Sequence, residues 1–239
     1  MLQGLLAAEL LKIKRKWVWF LIFLGPFGVV ALQAVNFGVR YDYLTSQYID
    51  DLWGGLIVNI QSFVPFVLII GMSIITSIMA NVDHEMRSWK HLLALPIHKY
   101  SLLLAKFIIS LLLLFIASLL LLIGVIILGI ILKFDIYALP LVDMIKMALY
   151  PYFAALPILA LQLWVAVIYS HQGVAITLGT LGAVFSSYAF KLPDWVIWKW
   201  PSLLNSWDIP IYNVYLGFST ALVVLLVSIF HFIKKDVEE

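Results

Sequence analysis

The chain has 239 residues, 64% of them apolar and only 12% charged, with a net charge of +2 and no cysteine. A soluble domain carries roughly a quarter charged residues, so this composition describes an integral membrane protein. It argues against a nucleic-acid partner and rules out disulfides, thiolate metal sites and cysteine nucleophiles.

Residues 1–16 precede the first apolar run. Leu2, Leu5, Leu6, Leu10 and Ile13 gather on one side of a helical wheel, and Lys12, Lys14, Arg15 and Lys16 close the segment. It reads as a helix lying on the cytoplasmic leaflet, with Glu9 falling inside the apolar arc. A plain basic flank of the first span would satisfy the topology rule equally well. The run from Trp17 is too long for a cleavable signal and lacks a small-residue cleavage site. Spans are expected at about 17–38, 56–80, 101–132, 147–170, 174–190 and 214–233. Pro151 and Pro157 should kink the fourth. The predicted fold is therefore an all-α integral membrane protein with six transmembrane helices in one domain, 1–239. With both termini inside, ten lysines and arginines fall on inner segments and five on outer ones, a fair positive-inside bias.

The longest inner polar interruption runs from Asn81 to Lys106. From Asp83 to Leu95 it can form a short helix, with acids Asp83 and Glu85 early and Pro96 at the stop. Asp83 and Arg87 share a face four residues apart, and Leu92, Leu93 and Leu95 make an apolar end. A charged, partly apolar helix tethered between two spans suits docking of a cytoplasmic partner.

Chemistry-bearing motifs are missing. There is no G-x-x-x-x-G-K-[ST] run to bind ATP, no His-Glu-x-x-His pair, no metal-ligand set, and no pair of ionisable residues at the centre of any span. An intramembrane enzyme or proton-coupled carrier is disfavoured, and the energy for moving a substrate would come from another subunit. The mild polar groups Asn59, Gln61 and Gln162 read as interhelical hydrogen-bonding residues, or more sharply as substrate-lining ones. Ala175, Gly179 and Ala183, with Ser187, form a small-residue ridge at spacing four, suited to a tight helix contact within the subunit or across a dimer. The link from Tyr188 to Tyr212 holds Trp195, Trp198, Trp200 and Trp207 among three prolines. It reads as a re-entrant or interfacial segment in the outer leaflet, or as a contact surface for an amphipathic substrate.

Together these residues resemble a known family. Glu9-Leu-Leu-Lys12-Ile-Lys-Arg-Lys resembles the start of ABC-2-type transporter permeases, and Asp83-x-Glu85-x-Arg87, Leu92-Leu93-Ala94-Leu95-Pro96, Lys99 and Lys106 resemble that family's first cytoplasmic loop. Trp200-Pro201 within an aromatic link resembles its lantibiotic-immunity and bacitracin-export branch. Ser88-Trp89-Lys90 stands where the family often has Ser-Gly-Thr. The resemblance implies an elbow helix around Glu9 and Lys12, and a coupling helix whose contacts with an ATPase include Asp83, Glu85, Arg87, Trp89, Leu92 and Leu93. It further implies two copies of a separate ATP-binding subunit, which would hold the ATP and magnesium, and a second permease copy or paralogue. The cargo would be a membrane-active peptide removed from a bacterial cell membrane, with Trp195, Trp198, Trp200, Asn59, Gln61 and Gln162 as candidate contacts. This chain would carry no cofactor of its own. The rival readings are an exporter of another cargo (lipid-linked glycan, drug or sodium) and a membrane scaffold or sensor that transports nothing.

Overall fold

The computed structural model describes residues 2–14, 16–85 and 99–234. Arg87, Trp89, Leu92 and Leu93, with most of the helix expected over 83–95, lie outside them. The described residues form ten α-helices and no strand. In hydrocarbon every backbone N–H and C=O must be satisfied within its own segment, so apolar runs of this length become helices.

In chain order the helices are α1 (Leu2–Ile13), α2 (Val18–Val39), α3 (Tyr41–Gln47), α4 (Leu52–Gln61), α5 (Val64–Glu85), α6 (Lys99–Ile131), α7 (Leu141–Ala154), α8 (Leu156–Ile168), α9 (Gln172–Ser187) and α10 (Pro210–Lys234). Short 3-10 turns lie at Ile136–Ala138, Ala189–Lys191 and Trp200–Ser202. Four helices are long and apolar enough to cross a membrane: Val18–Val39, Val64–His84, Tyr100–Ile131 and Pro210–Lys234. The bent pair α7–α8 makes a fifth if it counts as one span.

The expected second span, 56–80, joins two helices that are in fact separate. Pro65 has no N–H to give, and its ring would collide with the carbonyl of Gln61 in a continuous helix, so the chain breaks at Ser62-Phe63 and α5 restarts at Val64. Upstream, Asp51 caps α4 by accepting from the Gly54 N–H at 2.8 Å. In the fourth span, Pro157 falls in the first turn of α8, and the axes of α7 and α8 diverge by 40° at Ala155. The 16 residues of α9 rise about 24 Å, short of the roughly 30 Å hydrocarbon core.

Helix α5 is the centre of the bundle. Met72, Ile75 and Met79 pack with Leu156, Leu159 and Leu163 of α8 and Ala175 and Ala183 of α9 in one buried core. The small ridge of α9 lies against α5 of the same chain: a Cβ on Gly179 would stand 2.2 Å from Ser73 Cβ. The Ser73 hydroxyl donates to the Ala175 carbonyl at 3.2 Å. A second core, around Phe37, Trp53, Leu56 and Phe134, closes the opposite end of α2, α4 and α6. There the Trp53 indole donates to the Asp135 carbonyl at 2.8 Å and meets Phe134 edge-on. Phe20, Phe23 and Phe27 of α2 and Leu222, Leu226 and Phe230 of α10 are exposed, an apolar belt of the kind a membrane protein shows.

Candidate functional site

Two charges look misplaced locally: Glu9 in the apolar arc of α1, and Lys106 in the third turn of α6. Each is accounted for by the other and by Asp83, in the last turn of α5. Helix α1 packs on α6 and α5, which brings Glu9, Lys12, Asp83 and Lys106 into one ring of alternating sign. Glu9 Oε1 accepts from Lys12 Nζ at 2.6 Å and Oε2 from Lys106 Nζ at 2.7 Å. Asp83 Oδ1 accepts from Lys12 at 2.8 Å, and Oδ2 is ion-paired with Lys106 Nζ at 2.5 Å. Each carboxylate thus gives one oxygen to each lysine, and Lys106 also donates to the Met79 carbonyl at 3.0 Å.

The ring is neutral and nearly dry. Asp83 is 0% exposed, Lys106 1% and Glu9 3%. Removing an ion from water costs several kcal/mol even after relaxation, and only close pairing with satisfied oxygens offsets that. Burial by itself would lower the pKa of Lys12, the least buried member. The hydrogen bonds to Asp83 and Glu9 outweigh it and hold the ammonium above the ordinary lysine value.

This arrangement corrects one expectation. Asp83 does not open a separate exposed helix: α5 continues through it to Glu85, and its carboxylate points inward. The acid-at-the-start rule misreads it because pairing with Lys106, 23 residues later, places it better than a helix dipole could. The ring sits at the root of the 86–98 segment, tying α5 just before it to α6 just after it, and both to α1. His84 Nε2 lies 3.2 Å from the Ala166 carbonyl, linking the same end of α5 to α8.

At the far end, the link between α9 and α10 is held by its own polar groups. Lys199 Nζ donates to Asp194 Oδ1 at 2.7 Å and to the Leu192 carbonyl at 2.8 Å. The Trp200 indole donates to the Asp194 carbonyl at 2.6 Å, and Asn213 Nδ2 donates to the Trp200 carbonyl at 3.3 Å. The hydrogen bond from Lys199, aided by the Ser206 N–H, holds the Asp194 carboxyl below its usual range. Trp200, 6% exposed, is therefore an internal anchor of the link and has no face for a substrate. Trp198 is half-buried against Phe185 and Gly182. Trp195, 78% exposed, is open.

The remaining candidates separate in the same way. Asn59 donates to the Gly55 carbonyl at 2.8 Å, and its own carbonyl accepts from Gln33 at 3.1 Å. Gln162 is fully buried; its amide, set so that both ends are satisfied, bridges the Ala175 carbonyl and the Gly179 N–H. Gln61 lines three adjoining open hollows, whose walls include Ser186 and Phe190, Asp143 and Lys146, and Asp194 and Lys199. Among the described residues, no group of His, Cys, Asp and Glu side chains could hold a metal ion. Lys106 is the member of the ring to which the sequence alone assigns no role. Its signal was present, since two opposite charges stranded in apolar helical faces suggest each other as partners.

The family model described as ABC-2 family transporter protein covers residues 5–186. No curated protein and no solved structure matches.

Proposed function

We infer the function from the family: the chain belongs to the ABC-2 transporter family, and we propose that it is the permease subunit of an ATP-driven exporter. A permease of this family is a multi-pass membrane component, not itself the catalyst, and works with an ABC ATP-binding partner. The described helices supply four spans, or five with α7–α8. The proposed topology adds α9 as a sixth, shortened span, with both termini in the cytoplasm and the α9–α10 link outside. Segment 85–95 is the coupling element, with Glu85, Arg87, Trp89, Leu92 and Leu93 as its contacts with the ATPase. Two copies of the ATPase closing on nucleotide would push on this segment in each of two paired permeases. The bundles would then shift as bodies and open a path or lateral groove outward. The observation that carries this reading is the ring, because it joins both stems of the segment to the bundle and gives a push something to act on.

For cargo, the proposal is a cationic amphipathic peptide taken from the outer leaflet. Charge supports it. On the proposed outer segments seven acids (Asp42, Asp50, Asp51, Asp135, Asp143, Asp194, Asp208) face five bases (Arg40, Lys133, Lys146, Lys191, Lys199), a net of −2. A surface of that sign attracts cations and repels anionic lipid-linked glycans. Gln61 and Trp195 are the contacts with surface to offer. The test is peptide survival in cells expressing the chain with its ATP-binding subunit. Protection against cationic lantibiotic-type peptides, lost when the ATPase is inactivated, is the expected result. Protection against none of them, or protection that persists without ATP hydrolysis, contradicts the cargo or the energy source respectively.

A further inference from the structure

The walls of the three hollows that meet at Gln61 spend nearly all of their polar groups on one another. Asp194 is held by Lys199 and Ser206, and Asp143 by Lys146. The Asn205 amide donates to the Ile209 carbonyl and the Asn213 side chain, and its oxygen accepts from the Trp207 and Ile209 N–H groups. The Ser62, Ser186, Ser187 and Ser202 hydroxyls each donate to a backbone carbonyl. Among the described residues, three polar side chains on these walls make no hydrogen bond or ion pair: the Gln61 amide, the Tyr150 hydroxyl and the Asp208 carboxylate.

We infer that these hollows form a binding site for a primary ammonium group on an amphipathic ligand, with Asp208 as its counter-ion. Of the three unspent side chains only Asp208 is charged. The charged residues on the walls, Asp143, Asp194 and Asp208 against Lys146 and Lys199, leave a net of −1. The C-terminal end of α4 and the N-terminal end of α10 both border the hollows, and their opposite partial charges offset, so the side chains set the sign. An ammonium brings three donors and no acceptor. Asp208, Tyr150 and the Gln61 side chain all offer acceptor oxygens. The Gln61 backbone carbonyl is a further one, because Pro65, four residues on, has no N–H to give it. The hollows carrying Tyr150 and Asp208 measure about 400 and 590 Å³, the size of small-ligand sites, and share Gln61, Leu203 and Pro210. Phe190 and Leu204 add apolar wall for the rest of an amphipathic ligand. The ammonium has two sources, a lysine of the peptide cargo or a phosphatidylethanolamine headgroup of the outer leaflet. The assignment rests on the permease reading, which puts these hollows outside.

Asp208 has left-handed backbone, φ 54°, which asparagine tolerates as well, so Asp208→Asn removes the charge and keeps the turn. The probe is a short dansyl-labelled Lys–Leu peptide, paired with an analogue whose lysines are acetylated. Both are titrated against the full chain in phosphatidylcholine nanodiscs, with empty nanodiscs as the blank. The parent should bind the lysine peptide about ten-fold more tightly than the acetylated one, the worth of one charge-assisted hydrogen bond, and Asp208→Asn should erase most of that difference. Asp42→Asn, at an exposed acid that borders none of the hollows, should keep it. Adding phosphatidylethanolamine separates the two sources. Competition seen in the parent but not in Asp208→Asn upholds the site with the lipid headgroup as an occupant; no competition upholds it for the peptide alone. A parent that treats the two peptides alike overturns the inference. So does a preference that survives in full in Asp208→Asn, or one that falls equally in Asp42→Asn and so belongs to bulk surface charge. The titration uses no ATPase and no survival readout, so its failure leaves the exporter reading to its own test, and a failed survival assay leaves the binding result standing.

Discussion

Replacing Lys106 with alanine is expected to destabilise the chain by about 3–5 kcal/mol, the usual consequence of removing one partner from a buried ion pair. The change leaves Glu9 Oε2 and Asp83 Oδ2 facing a cavity in a site almost free of water. Lys106→Met, which keeps most of the volume, should lose nearly as much, because the loss is one of charge compensation and not of packing. Lys12→Ala should lose less, since the Lys12 side chain is 19% exposed and water can take over part of its role. Unfolding midpoints in detergent micelles give the ranking. A Lys106→Met protein as stable as the parent would show that the ring carries no net stabilisation.

The second large effect is at Gly217 of α10. An added methyl there would stand 2.5 Å from the Phe153 carbonyl oxygen and 2.8 Å from Ala154 Cα. Both are backbone atoms at the α7–α8 bend, so no side-chain rotation can relieve the contact. Gly217→Ala is expected to cost about 2–3 kcal/mol as overpacking. Gly28→Ala in α2, which meets nothing within 4 Å, should be neutral or stabilising by up to about 1 kcal/mol through helix propensity. The same unfolding assay separates them, and equal behaviour of the two variants would mean that α10 does not close on the bend.

These two sites also mark where reading the sequence worked and where it stopped. The spanning helices were legible because hydrocarbon demands long apolar runs, and the bend at Ala155 because Pro157 removes a donor. The break before Val64 was written in Pro65 but hidden because residues 52–80 carry no charge. The six-span count depends on α9, which at 16 residues has the composition of a span without its length. The ring was half legible. Glu9 and Lys12 stand out in the sequence as an elbow pair and Asp83 as part of the loop helix, because periodicity relates residues three or four apart while Glu9 and Lys106 are 97 apart. Trp200 was misassigned for a related reason: tryptophan at an interface and tryptophan plugging a loop look alike in sequence, and only the Asp194 carbonyl distinguishes them.

The proposed coupling runs between this permease and a nucleotide-hydrolysing partner through segment 85–95. The most direct measurement is affinity capture of the ATP-binding subunit from detergent-solubilised membranes, by the parent chain and by Arg87→Glu, with both permeases confirmed folded and inserted. The parent is expected to retain the subunit and the variant to lose most of it. Capture by neither chain, or equal capture by both, would contradict it.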